Sequence, residues 1–348
     1  FLLNNNMNYK NYLLNIINAN DLWGNNILNN DKGMIVVGIP MIYKPNITLY
    51  YFQRSLCQHL FWSTIRPVNI LISMDNVFKI NNELKMMRQL TNDLNGYFKD
   101  SNITLIFNKH SNHALNHGDN RNILLKLYNN TCNYTHKICV ITQFDYDDII
   151  HPQRLEYLTY LYNNMYRVNS LPKNTSIIHK LKYNQNCIYK KTSKSMNEQF
   201  ISSHKIKRYT FQKYISKCHK YMRALERDSS VMEHFDRISM RNINIDNILD
   251  DFSLYRNISE CQNHGDAYIN RINKTGECIL WKSFLKKYGY QPGNGWVTTT
   301  LNQYFGVGGY KITVKTGEDV RFNQDIINNK YYNFYVINVT LGMYCHSE

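Results

Sequence analysis

The chain has 348 residues, 43% of them hydrophobic and 14% aromatic, with a formal net charge of +15. That content excludes a disordered chain and fits one large α/β domain or two ordinary ones. No run of about 18 apolar residues occurs, which excludes a membrane-spanning helix, and none of the eight Cys forms a Cys-X-X-Cys pair, which argues against a zinc ribbon.

The wide cysteine spacing does not look like a disulfide scaffold, so mostly free, buried thiols in a reducing, cytoplasmic setting are expected. The chain begins at Phe1 rather than Met, which is consistent with removal of a targeting segment or anchor. Asparagine runs such as Asn4-Asn5-Asn6 read as codon bias, because the Asn is spread through segments of good apolar periodicity. The basic balance suits nucleic acid, an anionic membrane surface or a phosphate-bearing ligand. The densest basic stretch, Lys180 to Arg227, reads first as a solvated helical face.

In chain order, residues 1–31 read as a polar extension packing on the domain. Met34 to Ile39 is a continuous apolar run ended by Pro40, the pattern of a parallel strand buried on both faces. Helical spacing follows over 47–62, then a strand over 68–72, a helix over 80–98 and a strand over 103–107. A helix over 121–130, a strand over 137–142, a helix over 151–166 and a strand over 176–181 complete the alternation. It predicts an α/β fold with a mostly parallel sheet flanked by helices. Residues 190–260 lose the alternation and read as a helical insertion; a final strand is expected over 332–340.

In such sheets ligands bind at the carboxyl ends of the strands. Asp75 and the group Asp145-Tyr-Asp147 fall there. Two carboxylates on one turn are hard oxygen ligands suited to Mg²⁺ or Mn²⁺, with a nucleotide diphosphate supplying further oxygens. The bland alternative is a solvated acidic turn, with Asp148 capping the next helix or supporting the two carboxylates from behind, Pro152 in the helix's first turn, and an Arg154–Glu156 ion pair along it. Gly317-Glu318-Asp319 precedes another helical pattern; it is either a capping turn or a general base for an acceptor hydroxyl. His346, after the last strand, is either solvated or a metal ligand.

Together these positions resemble glycosyltransferases of the GT-A fold, family-2-like members in particular, over roughly residues 33–348. The matching segments are Val37-Gly-Ile-Pro40, Ser73-Met-Asp75, Gly118-Asp-Asn-Arg-Asn122, Phe144-Asp-Tyr-Asp-Asp148, Gly293-Asn-Gly-Trp296, Gly317-Glu-Asp-Val-Arg-Phe322 and the terminal His346. The first loop, Met41 to Lys44, departs from the family's Thr-X-Asn-Arg pattern. The resemblance implies a Rossmann-like domain over 32–348, divided into a nucleotide-sugar half (32–160) and an acceptor-side half (161–348) that carries the insertion of about 190–260. It implies an inverting, hexosyltransferase-like enzyme of glycan biosynthesis that uses Mn²⁺ or Mg²⁺ and a nucleotide-sugar donor, UDP-sugars favoured, with a glycan, protein or lipid acceptor. Carried over residue by residue, Pro40, Asp75, Arg121, Asp145 and Trp296 would contact the nucleotide-sugar. Asp145, Asp147 and His346 would hold metal, Asp319 would be the base, and Glu318 would shape the acceptor pocket. Three competing readings stand beside it: a degenerate GT-A-fold binding protein, a nucleic-acid-binding protein, and a nucleotidyltransferase. The nucleic-acid reading leaves the acidic groups at strand ends without a purpose.

Overall fold

The computed structural model describes residues 35–45, 47–108, 117–132, 139–167, 174–184, 210–228, 235, 238, 297–311, 318–327, 329 and 331–345. The extension 1–31, most of the insertion 190–260, the Gly293–Trp296 segment and His346 lie outside the described residues.

Three apolar segments, β1 (Ile35–Ile42), β2 (Asn69–Asp75) and β3 (Asn102–Phe107), pair in parallel, and β4 (Val140–Gln143) joins β1 on its other side. Every residue of β2, and all of β1 but the last, is buried, as strands covered on both faces must be. Pro40 does not end β1, as the sequence suggested; the strand runs on to Ile42, and Pro40 stands opposite Ser73. The Gly38 carbonyl accepts from the Phe144 amide just past the end of β4. Two residues on, Pro40 faces that same side, where β4 has ended and no ladder needs its missing N–H.

The sheet continues through β7 (Val297–Thr300), β6 (Thr175–Asn184), β8 (Asn333–Cys345) and β5 (Ile149–Ile150), in the order β3-β2-β1-β4-β7-β6-β8-β5. β7 is antiparallel to both its neighbours, and β5 is antiparallel to β8; β6 and β8 are parallel, with an irregularity around Lys180.

Helices cover both faces. One core gathers α1 (Thr48–Cys57) with its π-helical continuation Gln58–Trp62, α2 (Asn82–Tyr97), α4 (Arg154–Arg167) and α5 (Phe211–Arg227). The smaller core joins Val36, Leu71 and Ile141 to α3 (His117–Cys132), α6 (Leu301–Gly306) and α7 (Glu318–Ile327). The helix ends are chemically fixed. Asn81 caps α2 by accepting from the Leu84 amide, and Thr300 and Gln303 form a reciprocal capping box on α6. Asn95 near the end of α2 pairs with both the N–H and the carbonyl of Ile103, which holds the helix against β3.

Three further sequence expectations are corrected. Cys57 on α1 and Cys218 on α5, both fully buried, are joined by a disulfide rather than free; 161 residues separate them, so spacing gave no hint. Asp148 does not cap α4, which starts six residues later; the buried Asp148 leads into β5. Arg154 turns to Thr142 Oγ1 (2.6 Å) and the Gln143 carbonyl (3.2 Å) on β4, while Glu156 accepts from Thr64 (2.7 Å). Residues two apart on a helix do not face each other. Among the described residues, no helix is long and apolar enough to cross a membrane.

Candidate active site

The carboxyl ends of β1, β2 and β3 converge on the start of α3, and buried amides tie them together. Asn120, fully buried, donates to the Met41 carbonyl of β1 (2.8 Å) and the Ser73 carbonyl of β2 (3.1 Å). Its Oδ1 accepts from the Ser73 hydroxyl and from Asn108, just beyond β3 (3.3 Å). Asp75, 1% exposed, ends β2 at this edge. Asn76 follows it in the left-handed region (φ 64°), which Asn tolerates, and donates to the Tyr43 carbonyl (3.1 Å).

Between β4 and β5 the chain makes the turn Asp145–Asp148, closed by the Asp148 amide on the Asp145 carbonyl (3.0 Å). α1 holds this turn from behind. The fully buried Arg54 donates to the carbonyls of Tyr146 (2.9 Å) and Asp148 (3.1 Å). Ser55 reaches Tyr146 and Gln58 reaches Asp148, each at 3.1 Å, while Gln58 also accepts from the Ile150 amide (2.9 Å). The Arg54 guanidinium lies 5.1 Å from the Tyr51 ring, and Tyr51 meets Tyr146 edge to face. The carbonyls of Asp145, Tyr146 and Asp148 are thus engaged. Asp145 and Asp147 are both partly exposed.

Arg121, on the first turns of α3 and only 4% exposed, joins two distant segments. It donates to Asp145 Oδ1 at 3.0 Å through one terminal nitrogen and to Glu318 Oε1 through the other. Burial acts to lower the Arg121 pKa, but Asp145, the Tyr310 phenol, Asp319 and Glu318 outweigh it and hold the guanidinium above its ordinary value. Glu318 and Asp319 form the first turn of α7, where the helix dipole favours carboxylates.

The other wall is Tyr310, whose ring lies 5.6 Å from the Arg121 guanidinium and stacks on Phe322 of α7 at 4.1 Å. Asn122 fixes it through both main-chain groups, donating to the Tyr310 carbonyl (2.8 Å) and accepting from its amide (2.9 Å). Gly308 and Gly309 both take positive φ (82° and 77°). A side chain at Gly309 would stand 2.5 Å from the Tyr304 hydroxyl and 2.9 Å from Asn122 Oδ1, so only glycine fits.

Of the residues singled out in the sequence, Arg121, Asp145 and Glu318 are therefore joined by direct contacts. Asp319 acts on the same guanidinium, and Asp147 shares the turn of Asp145. Pro40 and Asp75 lie on the same strand edge, at register positions opposite Ser73 and Ile42. Trp296 and His346 lie outside the described residues. Sequence reasoning missed Arg54, Asn120, Asn122 and Tyr310. Asn120 and Asn122 sit inside a quoted motif but among dozens of other asparagines, and a lone Arg in an apolar helix reads as solvated.

Among the described residues, no three His, Cys, Asp or Glu side chains gather as a metal cage. The donors at hand are the two carboxylates of one turn. That set fits Mg²⁺ or Mn²⁺ held largely by water and ligand oxygens, as Mg²⁺ usually is, rather than by a closed protein site.

No known family profile matches the chain. No curated protein matches it either. Among solved structures it is similar to S. aureus TarS, with TM-score 0.41 and 9% identity over 90% of this chain and 37% of that one. It is similar to TarS 1–349 (TM-score 0.39, 8% identity, 88% of this chain and 60% of that one). It is also similar to TarS 1–349 in complex with UDP (TM-score 0.39, 9% identity, 90% and 61%). The chain thus spans less than two thirds of the length of each.

Proposed function

We propose that the protein is an inverting, metal-dependent glycosyltransferase that uses a nucleotide-sugar donor. The observation that carries this reading is the Arg121 bridge, which sets the Asp145 turn beside the acidic start of α7 at the carboxyl edge of a largely parallel sheet. Ligands bind at that edge in folds of this type. Two acidic groups with separate tasks, one for a diphosphate and one for a proton, are what direct sugar transfer asks for.

In this reading Asp75 and the β1 edge at Pro40 receive the nucleoside. Asp145 and Asp147 bind a divalent cation, which when bound offsets the charge growing on the leaving diphosphate. Asp319 takes the proton of an acceptor hydroxyl as its oxygen attacks the anomeric carbon. The bond from that carbon to the diphosphate oxygen breaks on the opposite face, which inverts the configuration. Glu318, held by Arg121, keeps the first turn of α7 in place so that Asp319 stands at the cleft. Trp296 and His346 stay in the proposal as a sugar platform and a further metal ligand.

The test is a melting-temperature screen of UDP-, GDP-, CMP- and dTDP-sugars with and without Mn²⁺, beginning with UDP-sugars. A metal-dependent rise with one nucleotide class is expected, because a ligand that binds only the folded chain stabilises it. Asp147→Ala should abolish the rise. Asp319→Asn should keep it and lose transfer; full activity in that variant would remove Asp319 as base. Donor binding without any turnover would make the chain a binding protein on this fold.

A further inference from the structure

The strongest unassigned feature lies on α5, away from the strand edge. Its inner face is fixed. Tyr214, Cys218, Tyr221, Met222 and Leu225 are buried, Tyr214 donates to the Gln53 carbonyl of α1 (3.0 Å), and Cys218 is bonded to Cys57. The opposite face carries Lys213, Lys217, Lys220, Arg223 and Arg227 at intervals of three or four residues. At about 100° per residue these five fall within a single arc of about 120°, and the stripe runs about 21 Å along the axis. Lys213, Lys220, Arg223 and Arg227 are exposed, and Lys217 is half-buried. Burial, and then the neighbouring charge of Lys213, lower the Lys217 pKa.

We infer that this face of α5 is a docking surface for an anionic phospholipid membrane. The composition of the stripe selects this partner. Between the cations stand only Ser216 and Ala224; no aromatic ring and no carboxamide shares the arc. Single-stranded nucleic acid calls for aromatic platforms between the cations, and this arc has none. A plane of anionic headgroups asks only for a row of cations on a firm, convex support. The net charge of +15 adds a long-range attraction of the same sign. The inference is independent of the glycosyl-transfer reading.

The full chain is mixed with vesicles of phosphatidylcholine containing phosphatidylserine, and with vesicles of phosphatidylcholine alone, then sedimented at low and high salt. Binding to the anionic vesicles alone, released by salt, is expected. The triple variant Lys213→Gln, Lys220→Gln, Arg223→Gln should weaken binding about a hundred-fold, at about five-fold per cation. Lys79→Gln, Lys85→Gln, Lys99→Gln changes net charge equally at three exposed positions elsewhere and should bind as the parent does. Both variants should melt with the parent, since every substituted side chain is exposed. Failure of the parent to bind, or equal losses in both variants, overturns the inference. So does tight binding of an oligonucleotide through these residues with vesicles ignored, which would make the stripe a nucleic-acid surface.

Discussion

Replacing Arg121 with Met should be among the most damaging single changes in this protein, and the reason is charge rather than volume. The guanidinium is 4% exposed and stands between Glu318, whose side chain is 10% exposed, and Asp145, at 27%. Methionine fills much of the space and removes the cation, so two carboxylates face each other and the more buried one loses its counter-charge. Breaking a buried pair from one side costs about 3–5 kcal/mol. Asp145 is reached by water, which argues for the lower end, about 3 kcal/mol. In a chain of this size that lowers the melting temperature by about 4 °C. Urea and thermal unfolding of Arg121→Met, Glu318→Gln and the double variant would be measured side by side. Because Glu318→Gln removes the stranded charge, the double variant should lose at least about 1 kcal/mol less than the sum of the singles. Strict additivity, or a loss under about 1 kcal/mol for Arg121→Met, would refute the bridge as a structural link between α3 and α7.

His59, fully buried against Phe144, has its pKa lowered to about 3, first by burial and then by Arg154. The unfolded chain therefore takes up a proton near pH 6.5 that the folded chain refuses down to about 3, so stability falls with pH across that window. The slope contributed is at most about 1.4 kcal/mol per pH unit, and His59→Phe should flatten urea midpoints measured from pH 6.5 to 4. Gly309→Ala should cost about 2 kcal/mol or more, from positive φ plus the collision with Tyr304 and Asn122, whereas Gly308→Ala, with open space, should cost about 1 kcal/mol; equal losses would mean that the packing at Gly309 is irrelevant. Reductant should lower stability by about 2–5 kcal/mol, since the Cys57–Cys218 bond closes a long loop. Cys57→Ala should keep only part of the parent's sensitivity to reductant, since Cys139 is disulfide-bonded as well, and a parent and variant with equal sensitivity would exclude the Cys57–Cys218 bond.

The parallel half of the sheet was legible because strands buried on both faces write themselves as unbroken apolar runs, as in Ile35–Ile39 and Ile70–Ile72. The acidic turn was legible because carboxylates following such a run are conspicuous. β7 was not, since Val297-Thr-Thr-Thr300 is short and carries no apolar period; only its pairing with β4 and β6 makes it a strand. Arg54 looked like an ordinary surface cation, and Arg121 was expected against the nucleotide-sugar rather than between two carboxylates, because the groups that justify burying them lie about 90 and 200 residues away in sequence. The tie from Cys57 to Cys218 was hidden for the same reason, through separation rather than through composition.

The turn that carries Asp145 and Asp147 also constrains the curvature of the sheet from β4 to β5. β4 and β5 are four positions apart in the strand order, about 19 Å in a flat sheet. The chain from Gln143 to Ile149 has six steps, and three of them, Asp145 to Asp148, are folded back into a turn less than about 7 Å across. What is left cannot stretch over a flat span. The far edge must therefore roll back toward β4, and the Ile150 amide indeed meets Gln58, next to the helix that supports the turn. The connecting segment works as a short drawstring: lengthening it by a residue or two would let the far edge relax outward and widen the mouth in which the acidic side chains stand.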